Sequence, residues 1–121
     1  MEVASISQRA RELTALLKNK KSANVFVVML PEPLPDRQTE RLLESLRELK
    51  LTPTAVFVNR ILTEKESRNC QRCELTRRWQ LATVSRPRAD NLVHYGVPNF
   101  AGQISELSGL KKLTKRLWQI H

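Results

Sequence analysis

Two short apolar runs, NVFVVML (24–30) and TAVFVN (54–59), constrain the fold of this chain more than any other feature. Each is continuous and β-branched, as expected of a strand covered on both faces. Between them Leu42, Leu43, Leu46 and Leu49 recur at helical spacing. Strand, helix, strand is the grammar of a parallel α/β sheet, joined by a right-handed crossover. PEPLPD (31–36) halts the first strand with three prolines in five residues. Asp36 is then placed as the N-cap of a helix ending near Lys50, and Pro53 as the turn into the second strand.

The remaining segments extend the pattern. Near the start, Ile6, Ala10, Leu13, Leu16 and Leu17 form a helical stripe, with Ser5 and Gln8 spaced as a capping box. After Asn59 the polar RILTEKESRN reads as a loop. A basic helix is expected over 71–85, interrupted at Pro87, and NLVHYGV (91–97) reads as a third short strand. Leu110, Leu113, Leu117 and Ile120 space as a closing helix started by Ser108. No internal repeat is visible. With 121 residues the chain makes one α/β domain, large enough to bury a core without disulfides or metal.

Charge and hydropathy narrow the function classes. The start MEVASISQRARELTALLKNKK lacks the order of a signal peptide, because its basic cluster follows the helical pattern. The run Val25 to Leu30 falls far short of the roughly 20 residues that cross a bilayer. A soluble, cytoplasmic protein is expected. The net charge is +9 with a pI near 10.3. Such a field suits nucleic acid, an anionic membrane surface or an acidic partner. Yet the clusters at Lys18–Lys21, Arg77–Arg78, Arg86–Arg88 and Lys111–Arg116 lie in separate segments. Aromatic residues are only 5%, too few for a base-stacking platform. Solvated basic faces are the first reading; a small basic binding module for nucleic acid or an acidic protein is the alternative.

The missing motifs matter as much. The three glycines, Gly96, Gly102 and Gly109, form neither GxxxxGK[ST] nor GxGxxG. Without a phosphate cradle the chain is not expected to hydrolyse a nucleotide unaided. His94 and His121 are far apart, and His94 reads as a structural residue of a strand. In α/β sheets, ligands bind beyond the carboxyl ends of the strands. There Asn59 offers an amide that could pair with a base edge such as adenine, or satisfy turn backbone. Pro98 and Phe100 would wall the same base, or simply end a strand. The two cysteines, Cys70 and Cys73, form a CxxC, half of a tetrahedral metal site. A two-fold dimer would supply the pair twice, and a metal-free or disulfide-bonded pair is the other reading. A thioredoxin-like role is disfavoured because TEKESRN is not a strand leading into a helix N-terminus.

Taken in order, FVVMLPEPLPDRQTERLLESLRELKLTPTAVFVNRIL, CQRC, a basic segment with Gln80, and VPNFAGQISELSGLKKL resemble the C-terminal part of the ArsA family. These are the arsenical-pump-driving ATPases and their relatives that target tail-anchored membrane proteins. The matching residues are Pro31, Glu32, Thr39, Glu40, Arg41, Val58, Asn59, the CxxC, Pro98 and Glu106 to Gly109. The resemblance runs from Val25 to the end. It implies a three-layer parallel-sheet fragment of a P-loop NTPase-like fold, lacking the half with the P-loop, the switch segments and the magnesium-binding aspartate. It further implies that Asn59, Pro98 and Phe100 contact the adenine of ATP, used with Mg²⁺ by the parent enzyme. Cys70 and Cys73 would bind one zinc shared across a homodimer. The implied partners are the P-loop half, a second copy, and a membrane pump or tail-anchored cargo. The chain is then expected to be a C-terminal ATPase subdomain, with a dimer or cargo surface and no hydrolysis of its own.

Overall fold

A computed structural model describes residues 2–100 and 102–120. In chain order the elements are α1 (Glu2–Lys18), β1 (Phe26–Met29), α2 (Pro33–Glu48), β2 (Ala55–Ile61), α3 (Glu64–Ser67), α4 (Gln71–Ser85), β3 (Val93–Pro98), α5 (Leu107–Arg116) and β4 (Trp118–Gln119). They build one sheet of order β1-β2-β3-β4. β1 pairs parallel with β2, and β2 parallel with β3, as the strand–helix–strand pattern requires. β4 adds to β3 antiparallel, Tyr95 opposite Gln119 and Gly96 opposite Trp118. A side chain on Gly96 would collide with the Trp118 indole, so glycine is what lets the last strand close in.

The core lies on one face of this sheet. Val27, Met29, Val56 and Val58 meet Leu43 of α2 and Val84 of α4, with Leu46, Leu81 and Ile120 packed around them. The other face is a different matter. Phe26 and Val28 keep 55% and 64% of their surface exposed, so β1 is not covered on both sides as its apolar run suggested. A ring ladder crosses that face, Phe26 to Phe57 at 5.9 Å and Phe57 to Tyr95 at 5.4 Å.

Other sequence expectations change in detail. α1 begins at Glu2, so Ser5 lies inside the helix and caps nothing; Gln8 instead bonds Glu12 one turn on. No residue of α1 is buried. α2 starts at Pro33, a residue pre-set for a first helical turn, with Glu32 at the N-cap position. Asp36 is therefore not a cap. It is buried, and it accepts from Arg86 and Arg88, which follow α4. Arg86 also pairs with Glu40 at 2.6 Å. α5 starts after Glu106 rather than at Ser108, and ends before Leu117. Ile120 thus reaches the core from the end of β4, not from a helix. No helix among the described residues is long and apolar enough to cross a membrane.

Candidate functional site

β2 is a central strand and does not end cleanly. Its register against β3 is regular from Ala55 to Val58 and then shifts before Ile61. The irregularity centres on Arg60, which has a φ of 59°. That left-handed conformation costs a non-glycine residue roughly 1–2 kcal/mol, so its surroundings must hold it. Asn59 supplies the first support, its Oδ1 accepting from the Arg60 N–H at 2.9 Å. No partner for Asn59 Nδ2 is present among the described residues.

Further support comes from α4. Gln80, buried, accepts the Leu62 N–H on Oε1 at 2.8 Å and donates from Nε2 to the Arg60 carbonyl at 3.4 Å. Arg77, one turn earlier, donates from Nε to the Leu62 carbonyl at 3.2 Å. The Ile61 carbonyl takes the Asn99 N–H at 2.8 Å. Together these contacts pair the polar backbone groups that the break in the ladder would otherwise strand.

The segment read as a loop is largely ordered by capping chemistry. Thr63 and Glu66 form a reciprocal capping box around α3. The same Glu66 carboxylate accepts from Asn99 Nδ2 at 2.9 Å, tying α3 to the end of β3. Partial burial raises its pKa, but hydrogen bonds from the Thr63 backbone, from Asn99 and from the Thr63 hydroxyl outweigh this. With the Arg116 charge nearby, they hold the carboxyl below its ordinary value.

Between the ends of β2 and β3 lies a cleft of about 320 Å³. Asn59, Arg60, Pro98, Asn99, Phe100 and Leu113 are among its walls. All three residues singled out at the strand ends, Asn59, Pro98 and Phe100, therefore face one space. Phe100 is backed by Arg116, whose guanidinium sits 5.3 Å from the ring centroid. Sequence reasoning missed Arg60 and Asn99. Nothing in the sequence signals a left-handed arginine; the proline-asparagine step before Phe100 could have pointed to Asn99. A larger groove of about 620 Å³, with Asp36, Leu75, Trp79 and Arg86 in its walls, runs between α2 and α4. Asn59, Pro98 and Phe100 are not among its walls.

Cys70 and Cys73 lie apart from this cleft, at the other end of α4 from Ser85. Cys70 is the N-cap residue of α4, and its sulfur accepts from the Cys73 N–H at 3.2 Å. The pair thus does stand at a helix N-terminus, preceded by α3 and not by a strand. TEKESRN is not a strand, as expected from the sequence, while the helix N-terminus expected to be missing does follow it. The two sulfurs are joined as a disulfide. Among the described residues no group of three or more metal-binding side chains exists. One chain does not fit zinc: it offers two sulfurs, already bonded to each other, where a structural site takes four ligands. His94 is buried at the opposite end of β3, its Nδ1 2.8 Å from the Leu92 carbonyl and its Nε2 3.5 Å from Asp90. His121 lies outside the described residues.

An open, mostly parallel sheet flanked by helices, with a cleft at its carboxyl edge, places the chain in the P-loop NTPase-like class of α/β folds. The sequence pattern of the anion-transporting ATPases matches residues 1–119, and the chain belongs to that ArsA ATPase family. The match includes α1, which the resemblance traced from Val25 did not. No individual curated protein matches the chain.

Proposed function

We propose that this chain acts as the C-terminal subdomain of an ArsA-type ATPase and holds the adenine of ATP at the end of β2. The observation that carries this is the convergence of Asn59, Pro98 and Phe100 on one cleft beyond the strand ends. Asn59 already uses its carbonyl oxygen on Arg60, so its Nδ2 is the atom that donates to a ring nitrogen of the base. Pro98 and Phe100 supply apolar walls. The phosphates and Mg²⁺ fall to a P-loop half, since the sequence has no Gly-rich cradle. The open ring-bearing face of the sheet suits contact with such a half.

Calorimetric titration with ADP tests this. Binding should be measurable and weakened roughly tenfold by Asn59→Ala. ATP turnover should require a separate P-loop polypeptide. Robust turnover by this chain alone, abolished by Asn59→Ala, would overturn the subdomain reading.

The cysteine pair carries a second element of the proposal. When reduced, it offers two thiolates, and two copies related by a two-fold axis offer the four that zinc takes. Reduced protein purified without chelator should then hold one zinc per two chains and run as a dimer. Free thiols on a zinc-free monomer would remove the shared site. The nucleic-acid alternative rests on the net charge of +9. Arg86, Arg88 and Arg78 are already engaged by Asp36, Glu40 and Glu74, which thins the basic surface. Binding of a DNA or RNA oligomer that falls steeply with salt would revive it.

A further inference from the structure

We infer that Gln80, assisted by Arg77, is a positioning residue for the base site, setting the direction in which the Asn59 amide points. The inference rests on the adenine reading above and deepens it. Its basis is the chain of contacts between α4 and the end of β2. Gln80 is not itself a wall of the cleft; its two side-chain hydrogen bonds go to backbone, at the wall residue Arg60 and at Leu62. Those two bonds fix the peptides that follow Arg60. The peptide that precedes Arg60 is fixed by Asn59 Oδ1. The left-handed Arg60 is the joint between the two sets, so its torsions are determined from both sides.

The mechanical consequence is specific. If the Gln80 bonds are removed, Arg60 is no longer compelled to stay left-handed, a conformation that arginine does not favour. Relaxation would turn the Arg60 N–H away from Asn59 Oδ1. The Asn59 amide could then rotate, and its Nδ2 would no longer be committed to the cleft. Arg77 acts in the same direction more weakly, holding the Leu62 carbonyl alone. Gln80 is buried and central to α4, a rigid element, which is where a supporting residue holds a site best.

The role is separable from ordinary packing because it predicts an effect on base discrimination. In the full chain, Gln80→Met keeps the length and apolar stem but removes both hydrogen bonds. ADP affinity should fall roughly tenfold, and the preference for ADP over GDP should shrink toward unity. Asn59→Ala should abolish the same preference, and the double variant should be no worse than either single one. Retention of the ADP preference in folded Gln80→Met protein would overturn the inference. Should Gln80→Met fail to fold, Gln80→Glu carries the test, since it keeps an acceptor for Leu62 N–H and replaces the donor to Arg60 with a carboxylate oxygen that repels that carbonyl.

Failure of the adenine reading has its own signature: no ADP preference in the wild-type chain, or none that Asn59→Ala removes. In that case the positioning claim is judged by nuclear magnetic resonance without nucleotide. Displacement of the Asn59 side-chain NH₂ and Arg60 N–H signals in Gln80→Met, with His94 and Val56 signals unmoved, supports it. Unmoved Asn59 and Arg60 signals sink it.

Discussion

Two polar clusters in this molecule are built on opposite principles. Around Asp36, charge meets charge: two arginines from beyond α4 converge on a buried carboxylate in α2, and Glu40 takes part of one of them. Around Asn59, amides meet backbone: Gln80, Asn59 and Asn99 satisfy peptide groups at a break in β2. In the first cluster each named side chain is answered by another side chain, although the buried Nε and Nη1 of Arg88 keep no hydrogen-bond partner among the described residues. The pairing suits a clamp between α2 and the segment entering β3. In the second, the backbone is satisfied and one amide group is left facing a cleft. We read the first as a structural cluster, because charge answers charge there, and the second as the candidate binding one, although the first contains the more conspicuous residues.

Changes that remove one member of each cluster should break this contrast if it is wrong. The largest effect is expected at Asp36. Asp36→Ala leaves Arg88, whose side chain is only 4% exposed, without its carboxylate. Stability to urea should fall by about 3–5 kcal/mol, the usual cost of stranding a buried charge. Protein that remains folded should keep whatever preference it has for ADP over GDP. A normal unfolding midpoint with lost nucleotide preference would invert the assignment of the two clusters.

Asn59→Ala should do the opposite. One hydrogen bond to Arg60 is lost at a partly exposed site, so stability should fall by only about 0.5–1.5 kcal/mol. Binding should suffer roughly tenfold, read by titration with ADP.

The smallest effect concerns Glu66. Its folded-state pKa lies below the unfolded value, so the contribution is present above the unfolded pKa and is lost as pH falls through the folded one. Acid should therefore loosen the tie between α3 and Asn99 before it unfolds the core. In Glu66→Gln that contribution should be missing at neutral pH, a small loss, while stability in acid stays close to wild type, so the acid-dependent part shrinks. An unchanged acid profile, followed by circular dichroism, would show that the carboxylate is not engaged in solution.

The sequence was a good guide wherever periodicity had room to act. The strand–helix–strand unit, the parallel pairing and the basic helix over 71–85 follow from apolar patterning that the structure retains. Four residues of α3 and two of β4 are too few to carry a period, and both were missed. Thr63 and Glu66 do spell a capping box, so α3 had a signal that the polar composition of its surroundings masked. The role of Asp36 could not be seen, because Arg86 and Arg88 stand 50 and 52 positions away in the chain. An apolar run also says what a strand can tolerate, not what covers it; Phe26 and Val28 show the gap. As for the cleft, strand-end logic and family resemblance named Asn59, Pro98 and Phe100. The left-handed Arg60 and its clamp by Gln80 are backbone facts with no residue signature.

Addition of ADP to the isotope-labelled chain, followed residue by residue by nuclear magnetic resonance, tests the central claim most directly. Shifts should concentrate at Asn59, Arg60, Val97, Asn99 and Phe100. Shifts confined to Leu75, Trp79 and the groove beside Asp36, or no shifts at all, would contradict it.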